Sequence, residues 1–456
     1  MMEKMSDLAR RLEVPLEGRD PRFRRVTTDT RQIERGDLFV ALKGDHFDGH
    51  DFIAQAQKLS AAGALVSRRV DCELPQVVVD DTLHGLQNYA ASWRGDFETP
   101  VVAVTGSNGK TTVKQMLSSI CQARGPVLAT QGNLNNHIGV PLTLLSLRRE
   151  HRTAVVEMGA NHPGEIARLA ELARPEIGVV NNSGDAHLEG FGSREGVARA
   201  KGELFAALGG NGIAVINADD PFAPLWREMA QEADAITFGL SDEANVQALS
   251  VQAEPPESPQ RTHFQLRTPE GRHSVLLPLP GLHNVRNALA AAACAVALGM
   301  DARDIAAGLL TVKLPPGRLS WCKALNGARL LDDSYNANPA SLQAGLELRA
   351  SMKGRRWLVL GDMGELGPGA EELHREAGLA AKKLGVERLY ALGPLSRSAA
   401  RGFGEGAVHF NDLAELIAEV GQRLAADVAV LVKGSRSSRM ERVVAGLTGE
   451  DTGREH

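Results

Sequence analysis

Short apolar runs, each closed by glycine or a polar residue and followed by helical spacing, recur along the whole chain. The sharpest is Val101–Val104, four apolar, β-branch-rich residues that predict a buried parallel strand. Thr105-Gly106-Ser107-Asn108-Gly109-Lys110 follows as a small-residue turn. Val113, Met116, Leu117 and Ile120 then fall on one face of a helix. Before this stretch, Leu38–Leu42, Ala64–Val66 and Val77–Val79 read as strands, with a helix from about Phe52 to Ala62 between the first two. After it, Ala154–Val156, Ile177–Val180 and Ile213–Ile216 are strands with polar ends. A helix is predicted from about Glu195 to Leu208, and Gly281–Asn287 opens a long alanine-rich helix. Leu330-Leu331, Trp357–Leu360, Arg388–Leu392 and Val428–Val432 repeat the strand-then-polar pattern towards the C-terminus.

Breaks in this pattern divide the chain. Gly95–Pro100 and Lys313–Arg318 are turn-rich joints. They suggest a small α/β domain over 1–98, a central phosphate-loop domain with a mainly parallel sheet over 99–314, and a Rossmann-like domain over 315–456. A prior of about 150 residues per domain agrees with three domains in 456 residues. The class is α/β. The last domain has no G-x-G-x-x-G after its first strand, which disfavours dinucleotide binding.

Composition narrows the function. Hydrophobic residues make up 43% and charged residues 23%, as in ordinary globular domains. A net charge of −5 argues against a general nucleic-acid surface. Cys72, Cys121, Cys294 and Cys322 lie far apart without a C-x-x-C pair, which argues against zinc ribbons and disulfide scaffolds and suits a reducing cytoplasm. The first residues carry no apolar signal core, and no run approaches the ~18 apolar residues of a membrane span. Ala288–Leu298 reads as a packed helix.

The chemistry concentrates at strand ends. Strand, glycine turn, lysine, hydroxyl and helix is the layout of a phosphate cradle, in which backbone N–H groups and the helix N-terminus meet oxyanions. Lys110 would reach the β- and γ-phosphates, and Thr111 would offer a hydroxyl to Mg²⁺. Val104 replaces the first glycine of the full P-loop pattern, so only Gly106-x-x-Gly109-Lys110-Thr111 is present. Glu157 ends an apolar strand, where it either caps the next helix or serves as an oxygen ligand for Mg²⁺. His187 lies just past another strand end. Asn133, Asn135, Asn136 and His137 form either a hydrogen-bonded turn or a substrate loop. Lysines on helices are mostly solvated, and the sequence alone leaves Lys201 in solvent. Asn284 and Asn287 would cap their helix or meet a base edge, capping being the commoner role. The Asp- and His-dense loop Lys43–Asp51 raises a metal site, but no accepted ligand spacing is met, and a solvated or anion-binding turn is favoured.

The order TGSNGKTT, GNLNN-x-IGVP, VVEMGANHPGEIA, NNSGDAHLEGFGS, ARAKGELF, PLPG-x-HN-x-x-NALAAAA, PGR, DDSYNANP, GDMGELG and VKGSRS resembles the Mur ligases. TTDTR and GDLFVALKGDHFDGHDF extend the resemblance into the first domain. It implies a cytoplasmic, monomeric ATP-dependent ligase of peptidoglycan precursor synthesis. Such an enzyme joins D-alanyl-D-alanine to UDP-N-acetylmuramoyl-tripeptide through an acyl phosphate, with ATP and two Mg²⁺. In that reading Gly106, Ser107, Asn108, Gly109, Lys110, Thr111 and Thr112 form the phosphate loop. Thr111, Glu157, His187 and a carbamylated Lys201 would hold metal, and Lys110, His187 and Lys201 would be the catalytic set. Asn284 and Asn287 would lie by adenine, Asp333 by ribose and Arg318 near the phosphates. Thr30, Arg31, Lys43 and Gly44 would meet the uridine nucleotide. Asn135, Asn136, Asn336, Lys433, Ser435 and Arg436 are the remaining substrate candidates. Alternatives are a sister ligase adding a single amino acid and a non-catalytic ATP-binding regulator.

Overall fold

A computed structural model describes residues 2–184, 188–254, 261–350 and 354–449, which fold around three separate sheets. In the first, strands Arg25–Thr27, Asp37–Val40, Gly63–Val66 and Gln76–Val78 run parallel in that spatial order, with Leu16–Glu17 antiparallel at the far edge. The helix expected to reach Ala62 is shorter. A single-turn 3₁₀ segment, Gly49–Phe52, leads into Ile53–Lys58. Ser60 then turns left-handed at φ 63°, and the Ala62 N–H donates to Asp37 O at 2.8 Å, so the chain is drawn to the sheet instead.

The central sheet has nine strands. Its phosphate-loop strand, Val101–Thr105, lies between Thr153–Glu157 and Ile177–Val180, with Val104 opposite Glu157 and Thr105 opposite Val180. Val127–Ala129 lies beyond the first neighbour and Ile213–Asn217 beyond the second. The winding therefore reverses around Val101–Thr105, and a crevice opens beyond its carboxyl end, the position where open α/β sheets take ligands. Thr262–Thr268 and Gly271–Leu277 extend the sheet antiparallel. The alanine-rich helix forms as Leu282–Ala297, with residues 288–295 all buried in one core with Val113, Met116 and Ile120 of the helix Lys110–Cys121. Methyl-sized side chains suit it to a site with neighbours on every side. The expected loop around Glu254–Pro259 falls largely on 255–260, outside the described residues.

The third sheet runs in the order Ser320–Lys323, Arg329–Asp333, Val428–Lys433, Arg355–Gly361, Arg388–Leu392, Ala407–Phe410, parallel except at its first pair.

The cores are not distributed one per sheet. A single apolar cluster joins Leu38, Leu86, Tyr89 and Trp93 to Ala103, Leu144 and Ala170. Arg94 is buried at this junction and donates to Ala173 O at 3.0 Å, Phe97 O at 2.6 Å and Glu176 Oε1 at 2.8 Å. Residues from 319 onward instead fill two clusters of their own, one on each face of the third sheet. Among the described residues, no helix is long and apolar enough to cross a membrane.

Candidate functional site

One cavity of about 1600 Å³ lies between the carboxyl ends of the central and third sheets. The wall formed by Ser107–Thr112 depends on two glycines in the left-handed region, Gly106 at φ 146° and Gly109 at φ 78°. Gly109 precedes the helix Lys110–Cys121. A Cβ there would stand 2.3 Å from Asn287 Oδ1 and 2.5 Å from Asn181 Nδ2, so both conformation and crowding demand glycine. Asn181 and Asn182, just past the neighbouring strand, brace the loop. Asn181 Nδ2 donates to Asn108 O at 2.9 Å and to Asn287 Oδ1 at 2.8 Å, while Asn182 Oδ1 accepts from Asn108 N at 2.9 Å. Ser107 Oγ accepts from Gly184 N at 2.9 Å.

Lys110 donates its Nζ proton to Gly106 O at 2.8 Å, folding back over the loop. Desolvation lowers its pKa, opposed by the charge of Glu157. Glu157 is 2% exposed and does not cap a helix. Its carboxylate accepts from Thr111 Oγ1 at 3.0 Å and Asn135 Nδ2 at 2.9 Å, and Lys114 Nζ lies 3.5 Å away. Asn136 Oδ1 accepts from Gly139 N at 2.9 Å, so the Asn-rich loop is both a built turn and a cavity wall. Asn284 does not cap its helix by accepting an N–H. It is buried and donates to Pro280 O at 2.8 Å.

The third sheet closes the other side. Arg318 Nη2 donates to Thr111 Oγ1 at 2.9 Å, and its guanidinium lies 4.2 Å from the Tyr335 ring centroid. Asn338 Nδ2 donates to Asn108 Oδ1 at 2.7 Å. Asp333 and Lys433, neighbours in parallel register, form an ion pair, and Lys433 also donates to Asn336 O at 2.9 Å. Lys433 is thus 2% exposed and committed to two partners. Burial raises the Asp333 pKa, against the pull of Lys433. Thr112, Asn336, Ser435 and Arg436 also line the cavity.

Chain segments match three family models: the Mur ligase middle domain over 104–295, the Mur ligase glutamate ligase domain over 317–436, and the Mur ligase family catalytic domain over 22–89. Over 453 residues the chain is 46% identical to UDP-N-acetylmuramoyl-tripeptide–D-alanyl-D-alanine ligase of Escherichia coli (strain K12), covering 98% of this chain and 99% of that one. The chain belongs to the Mur ligase family. MurF from Acinetobacter baumannii superposes with a TM-score of 0.90 at 36% identity, over 98% of this chain and 99% of that one. The MurF ligase from Thermotoga maritima, solved in complex with ADP, gives 0.81 at 30% identity, over 94% and 97%. The three-domain Mur ligase fold is therefore the fold of this chain.

Lys201 of this Mur ligase departs from the solvated position that helix statistics give a lysine. It is 1% exposed, donates to Ala160 O at 3.3 Å, and lies 5.3 Å from the Phe191 ring centroid. Burial first, and then the charge of Lys110, bring its pKa down to about 7. The signal was present in the spacing: Val197, Lys201, Leu204 and Phe205 share the buried face of the helix Arg194–Ala206. Lys201 sits behind the cavity wall, whose lining includes its partner Ala160. His187 lies outside the described residues.

The first sheet of the Mur ligase carries Thr30, Arg31, Lys43 and Gly44 beyond strand carboxyl ends, away from the cavity lining. Arg31 pairs with Asp29 at 2.9 Å. In the neighbouring loop, His50 is buried between Asp48, 2.6 Å from its Nδ1, and the Ser67 N–H, 2.9 Å from its Nε2. Hydrogen bonds to the His50 N–H and Arg68 hold the Asp48 carboxyl well below the usual range. Among the described residues, no three His, Cys, Asp or Glu side chains are grouped to hold a metal. Sequence reasoning missed Lys114, Asn181, Asn182, Tyr335 and Asn338. The three asparagines had a visible signal in NN and NAN just past strand ends.

Proposed function

We propose that this Mur ligase joins D-alanyl-D-alanine to UDP-N-acetylmuramoyl-tripeptide, with ATP as phosphoryl donor, in peptidoglycan precursor synthesis. The observation that carries the reading is the 46% identity along 98% of the chain to the Escherichia coli ligase of that name. The cavity supports it, because a carboxylate becomes a good electrophile only after its oxygen takes the γ-phosphoryl group. That transfer depends on positioning and charge neutralisation. Lys110 and Arg318 converge on Thr111 and the loop from opposite domains, and neutralise the transferred group from two sides. The amine of the dipeptide then attacks the acyl carbon, and phosphate leaves. Closure of the third domain keeps water from the acyl phosphate.

The donor set fits Mg²⁺. Thr111 and Glu157 offer a hydroxyl and a carboxylate in contact with each other, and one or two such ligands plus substrate phosphates are what Mg²⁺ takes. Bound there, Mg²⁺ would supply charge neutralisation along the phosphates. Carbamylation of Lys201 consumes the neutral amine, which its low pKa makes available near neutral pH. The carbamate and His187 would complete the metal ligands. Asn284 and Asn287 would lie by adenine and Asp333 by ribose. Arg31 and Lys43 would meet the uridine diphosphate.

Phosphate release from ATP and Mg²⁺ with the nucleotide tripeptide, with and without D-alanyl-D-alanine, tests the assignment. Release requiring both, with a product of the joined mass, is expected. Dependence on another amino acid instead would transfer the chain to a sister ligase, and turnover with neither acceptor would favour an ATP-driven regulator. Lys110→Ala should lower ligation by about 10³-fold or more; near wild-type turnover would remove Lys110 from its role.

A further inference from the structure

Beyond the strand Arg355–Gly361 the chain makes a tight loop, Gly361–Gly367, between two fixed ends. Asp362 O accepts from Ser435 N at 2.8 Å and from Ser438 Oγ at 3.0 Å. Met363 N donates to His374 Nε2 at 2.9 Å, and Met363 and Leu366 are buried on either side of the loop tip. Glu365, between these anchors, is held at φ 61°, in the left-handed region that side chains other than glycine, asparagine and aspartate seldom adopt. The buried neighbours leave Glu365 exposed, and it lines the cavity beside Gly364. A Cβ on Gly364 would stand 3.6 Å from Ser435 Oγ and 3.8 Å from Ser437 Oγ. Lys110 of the central domain lines the same cavity. One carboxylate of the third domain therefore belongs to a residue that lines the same cavity as Ser435, Arg436 and Lys110. Non-glycine residues kept in such backbone regions cluster where function over-determines them.

The ligase reading requires that the attacking amine lose a proton. An α-ammonium group has no lone pair and cannot attack the acyl phosphate. We propose that Glu365 is the general base of the second half-reaction: its carboxylate binds the dipeptide's ammonium group and takes one proton from it. The freed nitrogen lone pair forms the C–N bond. The tetrahedral intermediate collapses by breaking the C–O bond to phosphate, which departs with that electron pair and with the second nitrogen proton. Glu365 then returns its own proton to solvent. This proposal rests on the ligase function proposed above.

Hydroxylamine separates the two ideas, because it is already neutral at pH 7 and attacks an acyl phosphate without a base. With ATP, Mg²⁺ and UDP-N-acetylmuramoyl-tripeptide, wild-type protein is expected to give the hydroxamate with hydroxylamine and the amide with D-alanyl-D-alanine. Glu365→Gln should keep hydroxamate formation within about twofold while amide formation falls by roughly 10²-fold or more, the usual range for a lost general base. Glu365→Gly should show the same split and melt no lower than wild type, since glycine adopts this φ without strain. Equal loss of both products in either variant overturns the proposal, as does amide formation near the wild-type rate. Absence of both products from the wild-type protein refutes the ligase function itself.

Discussion

An ammonium group sealed from water is disfavoured against its neutral form, and Lys201 is such a group at about 7, against an ordinary 10.5. Between those two values the unfolded chain binds the proton and the folded chain does not, so stability rises with pH across that window. Below about pH 7 both states are protonated, and the whole burial penalty, on the order of several kcal/mol, is present. Lys201→Met in CO₂-free buffer is therefore expected to melt above wild type at pH 6, with the gap narrowed to less than half by pH 9. Thermal melts at the two values measure it, and a gap that does not change with pH would show that the lysine carries no such penalty. The residue also shows what a sequence hides. Its helical face was readable from Val197, Leu204 and Phe205, but solvent exclusion also needs Ala160, 41 residues earlier in the chain, and the Phe191 ring of the preceding helix.

At the scale of elements, the glycine turn between Val101–Thr105 and Lys110–Cys121 was legible because strand, turn and helix are contiguous. Its bracing was not, since Asn181 and Asn287 meet Gly109 only once Ile177–Val180 lies beside Val101–Thr105 and the alanine-rich helix packs across them. Gly109→Ala drives a methyl group into two buried amide side chains. We expect it to fold, to raise the KM for ATP about tenfold and to lower kcat by roughly 10²-fold, as misplacement by about 1 Å does elsewhere. Steady-state kinetics with ATP varied will show this; unchanged parameters would mean the amides move aside. The polar ends of the third sheet were equally visible as DDSYNANP and VKGSRS. Their pairing as Asp333 with Lys433 required the parallel register that joins strands about a hundred residues apart.

Over the whole molecule, the first two sheets share one apolar cluster while the third keeps its own two. Substitutions at the two seams should therefore act differently. Arg94→Met strips partners from three backbone carbonyls and from Glu176 inside a buried junction, and is expected to lower stability by about 2–4 kcal/mol. Asn338→Ala removes the hydrogen bond to Asn108 across the cavity and the Oδ1 that accepts from Ser341 N at the start of the helix Pro339–Ala350, so it should lower stability by only about 1 kcal/mol while turnover falls about tenfold, or ~1.4 kcal/mol. Denaturant titration alongside product formation separates the two effects. A stability loss at Asn338 equal to that at Arg94 would mean the seams are alike.

A chain whose last sheet, among the described residues, shares no apolar cluster with the rest behaves, to recombination, like a cassette. A crossover at the Lys313–Arg318 strap cuts neither of its clusters, and what it exchanges, in the proposed reading, is the end of the enzyme that chooses the amine. The nucleotide-linked acceptor and the phosphate loop stay behind as a common chassis. Diversification of the joined amine can then proceed by trading whole ends between lineages, without re-evolving the half that activates the acid.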